Sequence, residues 1–143
     1  MKKTLLVSGL LLASAVCLAV TYYNYANIVF PIDIMNNLVD MDNMPTTNPT
    51  TDAGATLGRY LFYDKDLSSN RTISCASCHM QKFGFADTAR FSLKYNGTRT
   101  TRNSPSLAHV RFQRDGQFFW DNRAASLEVQ PNGPLFKIGR AHV

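Results

Sequence analysis

No methionine follows Met80 in this 143-residue chain, and no cysteine follows Cys78. There are only three cysteines and three histidines in all. Cys17 lies inside an N-terminal apolar run, so the remainder of the chain has one pair, Cys75 and Cys78. A single pair excludes a scaffold held by several disulfides. It also argues against structural zinc, which wants four ligands, because only His109 and His142 stand outside the immediate neighbourhood of the pair. Strand signals are scarce and no internal repeat is present. Residues 27–52 contain no lysine or arginine, and the stretch from Arg90 to Arg114 contains no acid. The βαβ setting of a thioredoxin-like dithiol is absent. No nucleic-acid motif accompanies the basic stretch, so nucleic acid is not an expected partner.

What is present centres on Cys75-Ala76-Ser77-Cys78-His79. Cys-x-x-Cys-His is the attachment signal of a c-type haem. Two thiols three residues apart on one helical turn can each add to a vinyl group of the same porphyrin. The following imidazole can then bind the iron as proximal ligand. The expected cofactor is therefore one covalent haem c, held by Cys75, Cys78 and His79. A small electron-transfer cytochrome usually supplies a methionine well downstream as sixth ligand. Met80 adjoins the proximal histidine and cannot reach the opposite face. The distal side is expected to be open, or filled by His109, by Tyr95 or by a residue of segment 27–52. An open iron favours ligand chemistry over simple electron transfer. Six basic side chains between residues 90 and 114 form a solvated face or pair with haem propionates.

Taken in order, Met1-Lys2-Lys3 and the uncharged run from Thr4 to Val20 have the layout of an export signal. Tyr22, Tyr23 and Tyr25 follow as in an interfacial aromatic belt, so 1–26 reads equally as a signal peptide or an inner-membrane anchor. The expected location is the periplasm. Residues 27–52, punctuated by Pro31, Pro45 and Pro49, read as a linker. Leu57, Tyr60 and Leu61 recur at helical spacing and predict a helix over about 53–63, capped by Thr51 or Asp52. A short helix should carry Cys75 to His79. Residues 86–103 read as loop. Further helices are expected over 105–112 and 123–130, the last stopped by Pro131-Asn132-Gly133-Pro134. The fold class is all-α. A domain of some 85 residues needs a staple, and the haem would be that staple.

Several separate runs then resemble one family. These are Leu57–Asp64, Leu67-Ser68, Ile73–His79, Arg102–Leu107 and Phe119–Leu127. In this order they resemble the N-terminal haem domain of the bacterial di-haem cytochrome c peroxidases and their methylamine-utilisation (MauG-like) relatives, over about 57–135. The resemblance implies a cytochrome c-like haem domain over 53–137, whose haem is the peroxidatic one of a pair. It implies hydrogen peroxide as substrate and a small electron donor, cytochrome c or cupredoxin, and it allows a homodimer. Asn103 matches a residue that helps bind calcium, and Trp120 a tryptophan that relays electrons between haems. Read from the residues alone, Trp120 could equally be core. The place of a gating distal histidine is taken here by Tyr95 or Asn96. The second Cys-x-x-Cys-His is missing, as is a glutamate expected soon after Gly133-Pro134. Residues 138–143 match one frame of a common sequencing adapter and are expected to be an artefact, with the gene continuing. The isolated chain is then expected to bind haem with little peroxidase turnover. The alternative is a mono-haem c-type electron-transfer protein without peroxidase activity.

Overall fold

In the computed structural model, residues 24, 25 and 27–139 are described. The signal or anchor expected over 1–26 lies outside them except for its last residues, as does most of 138–143. Among the described residues no helix is long and apolar enough to cross a membrane. The described chain is helical, with short helices joined by 3-10 turns and long loops, and its pairing is limited to three isolated bridges. The all-α expectation holds at this level.

Among the described residues four helices organise the chain: α1 (Ile32–Leu38), α2 (Asp52–Tyr63), α3 (Cys75–Cys78) and α4 (Asn132–Pro134, continued by a wider turn over Leu135–Gly139). Helix α2 begins where Thr51 Oγ1 accepts from Gly54 N at 3.1 Å, with Asp52 favourably placed in the first turn. It ends at Asp64, which leaves helical geometry and in turn caps the 3-10 turn Lys65–Leu67. The apolar stripe that predicts this helix, Leu57, Tyr60 and Leu61, faces solvent, with Tyr60 74% exposed. The contact toward the pentapeptide comes instead from Phe62, whose ring meets Phe85 edge-on at 6.0 Å.

Two expected helices are not formed. At 105–112 only a single turn, Val110–Phe112, is helical, because His109 sits at φ 61 and breaks the spiral before it. At 123–130 the chain instead pairs Ala124 with Phe118, and Phe119 and Asn122 are both left-handed. The helix that does form is α4, where a stop is read from sequence. Pro131 and Pro134 fall in its first turn, where no N–H is required, and Leu135 N donates to Pro131 O at 3.0 Å.

Segment 27–52 carries α1 and docks against the 109–116 loop. Arg111 grips Asp42 through two hydrogen bonds of 2.8 and 2.6 Å. Asn43 N donates to Arg111 O, and Asn43 Nδ2 to Gln113 O. Phe30 meets Phe112 edge-on at 5.2 Å. The Arg111 hydrogen bonds hold the Asp42 carboxyl below its ordinary value, against an opposing push from desolvation. A depressed folded pKa means this contribution is present above the unfolded aspartate value, about 3.9, and is lost as pH falls through the folded one. Limited proteolysis between 27 and 50 is therefore expected to accelerate below about pH 4. Asp42→Asn is expected to give the same acceleration at pH 7 and to weaken docking by about 1 kcal/mol. Cleavage insensitive to both changes would show that the ion pair does not hold the segment.

Candidate haem site

The pentapeptide is set by local bonds. Ser74 N donates to Ser77 Oγ at 3.0 Å, and Ser77 N to Ser74 O at 3.1 Å, closing the entry to α3. His79 N donates to Cys75 O at 2.9 Å and ends the helix after one turn. Cys75 and Cys78 are both free thiols, the first exposed and the second buried. Desolvation pushes both thiols up, although Cys75 keeps a solvent-facing surface. For Cys78 a hydrogen bond with Ser92 acts the other way, and its Sγ lies 3.9 Å from Leu93 O.

After His79 the chain reverses tightly. Phe83 N and Phe85 N both donate to Met80 O, and Met80 N donates to Ala86 O at 3.2 Å. The reversal needs two successive left-handed residues, Gly84 at φ 64 and Phe85 at φ 59. Glycine tolerates that conformation; an aromatic side chain there carries strain of order 1–2 kcal/mol. The result is that Phe85 O faces His79 Nδ1 at 2.9 Å. A carbonyl can only accept, so Nδ1 carries the hydrogen and Nε2 keeps the lone pair that binds a metal. This main-chain orienter has no side-chain signature and is invisible to motif reading; the Gly84-Phe85 pair is its only trace. Gly84→Ala is expected to cost about 1 kcal/mol and to move the iron–histidine stretching band. An unchanged band would show that Phe85 O does not set the ring.

The donor set fits a haem c. Two unoxidised thiols flank one helical turn, and a histidine of fixed tautomer follows them. Around them Tyr63, Phe83 and Leu93 present half-exposed apolar surface. Tyr63 Oη reaches Gln81 at 3.4 Å, keeping α2 against the turn after His79.

Asn103 and Trp120 are brought together. Trp120 Nε1 donates to Asn103 O at 3.0 Å, although Trp120 is 63% exposed, so it is not core. The Asn103 amide nitrogen donates to Asp87 O at 3.3 Å and Ala89 O at 2.7 Å. Two carbonyl acceptors fix the amide's orientation, which leaves Oδ1 as its acceptor. Among the described residues no group of three or more histidine, cysteine or acidic side chains forms a metal site. The Trp120 loop is closed by the Phe118–Ala124 pairing. It is held by Asp121, whose two oxygens meet Arg102 at 2.8 Å and Arg123 at 2.6 Å. Arg123 also lies over the Phe119 ring at 3.6 Å. Motif reading missed Asp121 as the centre of this cluster; an acid flanked by Arg123 and following a uniquely basic stretch was the available signal. Tyr95 is placed by its main chain: Asn70 Nδ2 donates to its carbonyl at 2.6 Å, and its own N donates to Ile138 O at 3.2 Å. His109 is exposed and belongs to the loop gripped by segment 27–52.

A single-turn helix bearing two thiols and an oriented histidine, in an all-helical frame, defines a c-type haem domain. Residues 52–140 match the family model for di-haem cytochrome c peroxidase. The cytochrome c peroxidase Ccp of Escherichia coli is 36% identical over 91 residues, covering 64% of this chain and 19% of the relative. The methylamine utilization protein MauG of Methylorubrum extorquens is 33% identical over 91 residues, covering 64% of this chain and 25% of the relative. Among solved structures, a MauG-like protein associated with microbial copper homeostasis superposes with a TM-score of 0.69 at 35% identity. That alignment covers 82% of this chain and 33% of the other. The chain belongs to the di-haem cytochrome c peroxidase family, and it spans about a quarter of the length of the curated relatives it matches.

Proposed function

We propose that residues 53–137 form the peroxidatic haem domain of a periplasmic di-haem peroxidase that reduces hydrogen peroxide with electrons from a small cytochrome c or cupredoxin. The observation that carries this is His79, whose Nδ1 is engaged by Phe85 O so that Nε2 is left to bind iron. When bound, the haem supplies the redox iron at which peroxide takes up two electrons and two protons to become water.

The remaining work falls to the chain's own groups. Cys75 and Cys78 anchor the porphyrin. Phe85 O keeps the His79 proton on Nδ1 and fixes the plane of the ring. Trp120 stands at the surface with its indole N–H fixed, where it can pass electrons inward. Tyr95 is the distal-side residue in this proposal. Asn103 offers Oδ1 to a calcium ion. The export reading of residues 1–26 places the domain in the periplasm, free or anchored.

The visible spectrum of the haem-loaded ferric chain tests the proposal. A high-spin band, with azide binding that displaces no internal ligand, is expected. A low-spin, six-coordinate spectrum would contradict it and favour a mono-haem electron carrier.

A further inference from the structure

We infer that Asn103 is a positioning residue that couples the haem-ligand side of the domain to Trp120, a conclusion that rests on the relay role proposed above. The connection starts at His79, where Nδ1 donates to Phe85 O at 2.9 Å. Only Ala86 separates Phe85 from Asp87, and Ala86 is itself clamped to Met80 by a hydrogen bond of 3.2 Å. Asp87 O and Ala89 O both accept from Asn103 Nδ2, at 3.3 and 2.7 Å. Asn103 O then accepts from Trp120 Nε1 at 3.0 Å. Imidazole and indole are thus joined by hydrogen bonds and a few main-chain links, and Asn103 holds both halves. Its side chain grips the segment leading from Phe85, and its main chain grips the indole.

The chemistry of the link is specific. Two carbonyls on one nitrogen require an NH₂ group. An aspartate of the same size has no such hydrogen and would set a carboxylate against two carbonyl oxygens. A residue serving only as a cation ligand makes the opposite demand, because its oxygen suffices and aspartate serves at least as well. The Phe118–Ala124 pairing closes the base of the loop bearing Trp120, and Asp121 between Arg102 and Arg123 ties it through exposed pairs of small individual weight; these hold the loop rather than the indole. Loss of the Asn103 frame therefore frees the indole.

The chain has one tryptophan, so its fluorescence reports Trp120 alone. In the haem-loaded chain, Asn103→Ala and Asn103→Asp are both expected to make the Trp120 anisotropy decay at least about twice as fast on the nanosecond scale of loop motion. Both are expected to shift the ferrous iron–histidine stretching band as well. Covalent haem content and helical circular dichroism establish that each variant is folded. The nearly isosteric Asn103→Asp carries the test if the alanine variant fails to fold. Parent-like values of both readouts in Asn103→Asp would overturn the coupling and leave only a cation role. Trp120→Phe separates the underlying relay proposal. If it leaves unchanged the rate at which a small reduced cytochrome c re-reduces the peroxide-oxidised chain, while the Asn103 variants still move both readouts, the relay falls and the coupling stands.

Discussion

Replacing Cys75 and Cys78 together with alanine is expected to abolish covalent haem and to unfold the domain at ordinary temperature. The described residues bury only Cys78, Phe118 and Ala124 as apolar core, so little else holds these loops together. A ligand present at a thousand times its dissociation constant stabilises the native state by about 4 kcal/mol. Native domains have about 5–15 kcal/mol in total, and a core this small puts the domain at the low end, where such a loss removes most of it. Covalent attachment makes the effective concentration of haem independent of supply, which is why both thioethers must go before the effect is complete. Haem extraction with acidified organic solvent and a thermal melt read the outcome. The single variants should each retain one thioether, remain coloured after extraction and melt between the parent and the double variant. A double variant that melts like the parent would show that the haem is not the staple.

His79→Gly is expected to keep the covalent haem and lose its reactivity. The thioethers do not depend on the imidazole, whereas the iron's electronic tuning does. Peroxide reactivity should fall by about a hundredfold or more, equivalent to some 2.7 kcal/mol of lost transition-state stabilisation. Added imidazole should recover part of it, because the ligand rather than the fold has been removed. Recovery should be incomplete. Free imidazole has no Phe85 O fixed at its second nitrogen, so neither its tautomer nor its plane is set. Full activity in the unsupplemented variant would remove His79 from its assigned role.

The haem motif and the helix before it were legible because their determinants are local. Thr51 caps α2 from the adjacent turn, and the thiol spacing alone places both sulfurs on one turn. The later helices were misread because tertiary contacts override propensity there. His109, Phe119 and Asn122 each take a left-handed conformation that no local pattern announces. Helix α4 was hidden by prolines that read as a stop but occupy a first turn. The apolar character of Leu57, Tyr60 and Leu61 signalled a helix correctly, while saying nothing of which face the pentapeptide would meet. In the site, residue types were readable and orienting groups were not. Phe85 acts on His79, and Asn103 on Trp120, through main-chain oxygens that every residue possesses. The pairing of Asn103 with Trp120 spans 17 positions and exists only once the intervening loop is folded.

The central claim is that Cys75–His79 carries a haem c. Intact-mass and peptide-level mass spectrometry of the chain, produced with a c-type haem attachment system, test it most directly. The expected result is a mass increase of one haem per chain, confined to the peptide containing Cys75, Cys78 and His79. An unmodified peptide, with its two cysteines recovered as thiols or as a disulfide, would contradict it.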